Sequence, residues 1–402
     1  MTENRKTPKL RFKGFTDAWE QRKLREIATM HARIGWQNLR TSEFLDSGDY
    51  MLITGTDFMD GVVIFDNCHY VERERYEQDK HIQIRNGSIL ITKDGTLGKV
   101  AYIQGLRTPA TLNAGVFNVE IKNEKEVDNR YLFQYLKAPF LMDYVDKKAT
   151  GGTIKHLNQN ILVDFPVVLP QKAEQEKIGE YFFSIDNLIT LHQRKLERLK
   201  NVKKSMLDKM FPKDGEVVPE IRFKGFTDAW EQRKLGDIAD KVTEKNGGLQ
   251  YIETFTNSAE YGIISQRDYF DHDIAKIGSL DGYYIVRNED FVYNPRISTS
   301  APVGPISRNK LGRTGVMSPL YTVFRPHDVD TTYLEHFFKS KYWHSFMNFN
   351  GDSGARSDRF SIKDSVFFEM PIPIPHVEEQ RKIGECLTHI DNLITLHQRK
   401  SF

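Results

Sequence analysis

Three strings in this chain bring together residue types that do chemistry, and none completes its motif. Glu174-Gln175-Glu176-Lys177 comes near a nuclease-like Glu-x-Lys, with Glu174 three residues before Lys177 where the motif needs two. That pattern is common, and here it opens a helix, where carboxylates favour the positive end of the helix dipole. Asn294-Pro295-Arg296 starts like the Asn/Asp-Pro-Pro-aromatic turn of an adenine methyltransferase but lacks the second proline and the aromatic. Asp94-Gly95-Thr96-Leu97-Gly98-Lys99 ends in Gly-Lys, yet the leading glycine of a phosphate-cradling loop is missing. Cys68 and Cys386 are the only cysteines, too few for a disulfide framework or a Cys/His metal cluster, and they fit a reducing cytosol. The residues point away from catalysis, and no catalytic, cofactor or metal site is expected in this chain.

Other residue groups suit recognition. Arg, Asn and Gln can pair bidentately with guanine or adenine edges, provided that a loop lets the backbone approach closely. Gly- and Ser-rich loops with such residues are Arg33 to Asn38 (candidates Arg33, Trp36, Gln37 and Asn38), Lys93 to Thr96 (Lys93, Thr96) and Gly151 to His156 (Thr153, Lys155, His156). A second set is Arg296 to Ser300 (Arg296, Ser298, Ser300) and Gly351 to Arg359 (Arg356, Arg359). For any one of them the plainer reading is an ordinary surface turn. From Arg194 to Lys213 there are eight basic and two acidic residues, which could face a polyanion or simply form a solvated helix face.

An internal duplication must position these loops. RFKGFTDAWEQRKL spans Arg11 to Leu24 and returns unchanged at Arg222 to Leu235. IDNLITLHQRK spans Ile185 to Lys195 and returns at Ile390 to Lys400. The order is conserved segment, variable middle, conserved segment, then the same again with an unlike middle. Phe165 to Pro170 parallels Met370 to Pro375, and each leads to Glu-Gln, so a strand is expected to end and a helix to begin there. After the first, Ile178, Ile185, His192, Leu199 and Met206 recur every seven residues, a coiled-coil stripe. From Ala173 to Phe211 such a helix would run roughly 55–60 Å at 1.5 Å per residue. Ile383, Ile390 and His397 repeat the phase, so the two helices are expected to pack on each other. His192 and His397 would interrupt the stripe at equivalent positions, either as a device that sets register or, the plainer reading, with each ring pointed to the stripe's edge.

The middles carry short β-type runs (Tyr50 to Ile53, Ser88 to Ile91, Asp290 to Tyr293) and one short helix each, near Tyr131–Val145 and Tyr333–Phe346. With 39% hydrophobic residues the chain can build real cores. A net charge of +2 argues against a bulk polyanion binder but not against local basic surfaces. No 18-residue apolar run exists, and the polar start MTENRKTPKLRF is no secretory leader, so a cytoplasmic location is expected.

The doubled plan resembles the specificity (S) subunit of type I restriction-modification systems over essentially the whole chain. Pro8 to Phe12 with Trp19-Glu20, Gly87 to Leu90 followed by Asp94 to Gly98, and Glu174-Gln175 through Met210-Phe211 carry the likeness, none diagnostic singly. The resemblance implies an α+β fold: two globular target recognition domains joined by two long conserved helices packed as an antiparallel coiled coil, with a pseudo-twofold internal repeat. The expected parts are a first conserved segment (1–24), recognition domain 1 (25–170), the spacer helix (171–212), a linker with the second conserved segment (213–235), recognition domain 2 (236–375) and a second conserved helix (376–402). That last helix reads as shorter than the first by about seventeen residues, so Ile178, Tyr181 and Phe182 are expected to want cover. The resemblance further implies that the chain reads a bipartite site in double-stranded DNA. It would direct two methyltransferase subunits and, with them, ATP-dependent endonuclease/translocase subunits, with S-adenosylmethionine, ATP and Mg in those partners. A single-chain nuclease or methyltransferase and a coiled-coil scaffold that binds no DNA are the alternatives.

Overall fold

The computed structural model describes residues 8–95, 97–148, 157–213, 215–270, 277–352 and 358–399. The chain forms two compact units, Met1–Thr190 and Leu191–Phe402. The division falls inside the long helix Lys172–Lys209, not at its ends, because each flank of that helix packs into its own unit.

In the N-terminal unit Val116–Ile121 lies between Ala28–His31 and Ile89–Thr92, with Val100–Tyr102 at the far edge, all antiparallel. The strand Ile89–Thr92 is buried on both faces. Alternate side chains of a strand point to opposite sides. Ile89 and Ile91 therefore join a core with helix Asn129–Lys137, while Leu90 joins a second core. That second core is closed by a further sheet of His69–Val71, Tyr50–Ile53, Ala110–Leu112 and Gln83–Ile84.

The C-terminal unit repeats the first sheet. Thr322–Pro326 lies between Ala239–Lys241 and Phe291–Tyr293, with Ile306–Arg308 outermost. Phe291 and Tyr293 face one core and Val292 the other, the same alternation. Each expected single helix is two: Asn129–Lys137 and Phe140–Lys148, then Thr331–Lys339 and Tyr342–Asn350. Pro139 lacks the N–H to continue the first helix. In the second, the Ser340 hydroxyl turns back to the Phe337 carbonyl at 2.6 Å.

The conserved segments make one clamp, built twice. Strand Glu20–Lys23 pairs antiparallel with Pro166–Leu169, and Glu231–Lys234 pairs with Pro371–Ile374 in the same register. Arg11 donates two 2.7 Å hydrogen bonds to the Glu174 carboxylate, and Arg222 donates two to Glu379 at 2.7 and 2.8 Å. Both glutamates are fully buried. The next residue completes the joint. The Gln175 amide donates to the Pro170 carbonyl and accepts from the Asp128 N–H; Gln380 does the same with Pro375 and Asp330. Asp128 and Asp330 cap the short helices that follow them, accepting from the N–H of Tyr131 and Tyr333. The hydroxyls of those tyrosines donate to strand carbonyls of Val168 and Pro373.

Within the C-terminal unit the later half of the long helix runs antiparallel to Val377–Arg399. His192 Nδ1 lies 2.9 Å from His397 Nδ1, and Lys203 Nζ lies 2.5 Å from Asp391. The two stripe histidines thus meet in register and do not simply point to the stripe's edge.

Two predictions come from this clamp. Gly179 lies against the start of the capped helix, where an added Cβ would sit 2.7 Å from Tyr131 N and 2.8 Å from Asp128 Oδ1. At Gly384 the nearest atom would be the Thr332 methyl at 3.1 Å. Gly179→Ala is expected to destabilise by about 1–3 kcal/mol through overpacking. Gly384→Ala should lose less, since a side chain can yield and alanine regains about 1 kcal/mol of helix propensity. Equal shifts in calorimetric melting would contradict the comparison.

The second prediction concerns acid. His336 is buried, 3.1 Å from the Thr388 hydroxyl, and burial pulls its pKa from 6.5 to about 3. Glu335 is held at about 2: burial pushes it up, but Lys339 and Lys310 outweigh that. Both folded pKa values are depressed. The histidine's contribution is therefore lost as pH falls below 6.5, and the glutamate's only below 4.5. Between pH 6.5 and 5 the wild type should lose about 2 kcal/mol that His336→Gln does not lose, at about 1.4 kcal/mol per pH unit. The N-terminal unit has Gln134 at this place, bonded to Asp186 at 2.7 Å, and lacks that acid sensitivity.

Candidate nucleic-acid interface

The register fixes which loops share an end of each sheet. His31 pairs with Asn118, and Thr92 with Val116. The segments after Ala28–His31 and Ile89–Thr92, and the one before Val116–Ile121, therefore leave the N-terminal sheet on one side. By the same pairing, segments after Ala239–Lys241 and Phe291–Tyr293 and before Thr322–Pro326 share one end in the C-terminal unit.

The segments that follow the glycine loops return to those ends. Leu157 N–H donates to the Lys93 carbonyl at 2.8 Å, and Phe360 N–H donates to the Pro295 carbonyl at 2.7 Å. Arg296 and Arg359 face each other in an antiparallel bridge, reinforced by Ile297 N–H to the Asp358 carbonyl at 3.0 Å. Segments far apart in sequence thus meet at equivalent places in both units, Leu157 with Lys93 and Phe360 with Pro295. Arg296, Ser298 and Ser300 are exposed and Arg359 is half-buried. The Ser298 and Ser300 hydroxyls lie 3.2 Å apart and crown the loop tip.

In the C-terminal unit this end holds a cleft of about 460 Å³. Tyr284, Leu320, Tyr321, Arg359 and Ser361 line it, with Lys241 paired to Asp364 at one wall. Lys245 lies 3.4 Å from the centroid of the Tyr284 ring, holding a cation beside the cleft. Aromatic faces, a guanidinium and hydroxyls around an open cleft are a surface for base edges and sugar-phosphate. Tyr284, Tyr321 and Lys245 were not among the sequence candidates. Their place depends on pairing between distant segments, as of Tyr284 with Met317, which no local pattern marks.

Arg33 is a correction. It is only 2% exposed, and its guanidinium donates to the Leu112 carbonyl at 2.9 Å, Gln78 Oε1 at 3.1 Å and Thr111 Oγ1 at 3.3 Å. Burial, with Arg75 nearby, lowers its pKa. A guanidinium so buried and committed braces the unit and is not a surface contact. Gln37 is also buried, at 5% exposure, and leaves the surface set with it. Asn38 is exposed, and Lys93 is half-buried over the Phe117 ring at 5.6 Å. Thr96, Thr153, Lys155, His156 and Arg356 lie outside the described residues, as does the side chain of Trp36.

The nuclease-like string is accounted for as well. Glu174 is 0% exposed and spent on Arg11. Among the described residues no group of three or more His, Cys, Asp or Glu could hold a metal ion. No helix among them is long and apolar enough to cross a membrane.

Comparison with known proteins agrees with the doubled architecture. The family model for the type I restriction modification DNA specificity domain matches residues 16–201 and again 227–401. The type I restriction enzyme MjaVIII specificity subunit of Methanocaldococcus jannaschii is 25% identical over 337 residues, covering 80% of this chain and 76% of that protein. The putative MjaX specificity subunit of the same organism is 24% identical over 410 residues, covering 95% and 89%. The S subunit crystal structure from M. genitalium has the same fold, with a TM-score of 0.56 at 13% identity, covering 98% of this chain and 95% of that one. With its domain matched over both halves, the chain belongs to the type I restriction-modification DNA specificity family, as a specificity subunit with two target recognition domains.

The burial of Arg33 yields a prediction that separates support from contact. Arg33→Ala should cost about 1–3 kcal/mol by leaving buried acceptors unsatisfied. It should leave the salt dependence of duplex binding unchanged. A shallower salt slope with unaltered melting would return Arg33 to the surface.

Proposed function

We propose that each recognition domain reads its half of a bipartite double-stranded DNA site with the sheet end described above. In the C-terminal domain the readers are Arg296, Ser298, Ser300 and Arg359, joined by Tyr284 and Tyr321. In the N-terminal domain Asn38 and Lys93 occupy the matching end. The observation that carries this is the pairing of unlike loops on like sheets. Lys93 meets the segment of Leu157 as Pro295 meets that of Phe360, while the loop sequences differ. Two half-sites of different sequence need that arrangement. Arginine at such an end suits guanine, whose O6 and N7 accept two parallel hydrogen bonds.

The same reading assigns the catalytic work to partners. Two methyltransferase subunits would be directed by the chain, with endonuclease/translocase subunits joining them in the cytoplasm. S-adenosylmethionine, ATP and Mg would be bound there. Supporting this, Glu174 of the nuclease-like string is locked in an internal ion pair with Arg11.

Exchange of residues 236–375 for the corresponding segment of another family member, followed by mapping of methylated sites, tests the reading. The second half-site should change and the first should persist; an unchanged motif would sink it. Within the cleft, Arg359→Ala should relax one base position and cost about 1–3 kcal/mol of discrimination.

A further inference from the structure

The basic run at the end of the long helix is not a uniformly solvated face. Lys200, Lys203 and Lys204 open onto a cavity of about 350 Å³ between that helix and the turn joining helices Thr331–Lys339 and Tyr342–Asn350. Lys339, Ser340 and Lys341 form its other wall. The same three residues also line a second cavity, of about 620 Å³, that reaches Arg308, Lys310 and Ser300. The two cavities therefore share a rim, and a line of cations leads from a reading loop to the coiled coil.

Its charge is in excess. Glu335 is shared by Arg308 at 2.6 Å, Lys310 at 2.8 Å and Lys339 at 2.8 Å. Asp391 is shared by Lys203 at 2.5 Å and Lys339 at 3.3 Å. Four cations thus converge on two carboxylates, with Glu289 beside Arg308 at 2.9 Å and Glu260 on the wall of the second cavity. Lys204 and Lys341 are exposed and have no ion pair among the described residues. Lys200 touches only Glu197, one turn away on the same exposed face, a pair of little strength in water. Asp208 lines the first cavity and leaves the balance positive.

We propose that this lysine groove binds the DNA sugar-phosphate backbone alongside the half-site read by the C-terminal domain, independently of sequence. The inference rests on the reading function above and adds a contact that carries no base information. Lysine suits such a contact, because its ammonium is a mobile point charge without the fork that matches a base edge or carboxylate. Among polyanions, DNA is favoured over an acidic protein surface because the groove begins at Ser300, in the loop assigned to base reading.

The test uses the full chain, alone and with its methyltransferase subunit. Duplex affinity is measured against KCl concentration for a duplex with the methylated motif and one without. The variant Lys200→Gln/Lys204→Gln/Lys341→Gln keeps the aliphatic stems and removes three exposed charges. Each lost phosphate contact should flatten the log–log salt slope by about 0.9, so a change of about 2–3 is expected. Both duplexes should weaken by the same factor, with the methylated motif unaltered. Lys204→Glu alone should act in the same direction and guards against a folding defect in the triple variant. An unchanged slope would overturn the proposal, as would weakening of the motif duplex only, which would make these residues base readers. Weaker methyltransferase association at an unchanged slope would assign the groove to an acidic protein surface instead. Failure of the reading function is distinguishable: it appears as an unchanged motif after domain exchange, whatever the salt slope.

Discussion

The buried pairing of one arginine with one glutamate, made twice, is the constraint on which the rest depends. Removing a carboxylate from water is costly unless its partner is fixed and its lone pairs are filled. Arg11 and Arg222 meet that condition with two parallel hydrogen bonds each. Breaking such a pair by deleting one member typically costs about 3–5 kcal/mol. The geometry therefore locks the start of each conserved helix to the segment before each frame strand. Once the helix start is fixed, the following glutamine sits where it must to hold the proline turn and the capped helix. Strand, turn and two helices become one joint, and the variable sheet grows from it.

This explains how unlike middles can share a scaffold. The N-terminal domain adds a four-stranded sheet with a parallel pair, Tyr50–Ile53 beside Ala110–Leu112. The C-terminal domain has instead two short hairpin-like pairs, Phe255–Ser258 with Gly262–Ser265 and Tyr284–Val286 with Gly315–Met317. Both are attached to the same inner sheet, whose middle strands face one core with two residues and the other with one. The frame dictates where the sheet ends lie, and the additions dictate what stands there. Recognition needs both: a fixed place for the loops and freedom in their chemistry.

Much of this was legible in the letters. The seven-residue stripe specified the long helix to within two residues of its ends, and the matching stripes pointed to the two helices' packing, though not to the meeting of His192 and His397. The proline-rich strands were legible because proline stops a helix and tolerates an edge. What stayed hidden depended on contacts between distant segments. Arg33 and Arg296 look alike in sequence, each basic in a loop beside small or polar residues. One is drawn inside by Leu112, Thr111 and Gln78, and the other stays at the surface. No local pattern separates them. The splitting of each short helix was half legible: Pro139 announces it in the first copy, whereas Ser340 acts only through its hydroxyl. The lysine groove needed the turn at Ser340 to bring Lys341 opposite Lys204.

One property of the joint reaches beyond stability. At the joint itself, what the conserved segments grip in each middle includes main chain: the N–H of Asp128 or Asp330, with a glycine seated against the start of the capped helix. The side chains common to both joints are an aspartate and, three residues on, a tyrosine. That amounts to a short admission code, Asp-x-x-Tyr at the head of a helix, between the frame and its cargo. A domain of foreign ancestry that presents this code at the right place would be accepted without retuning its interior. New sequence preferences could then arrive by transplantation of whole folds, and need not accumulate residue by residue.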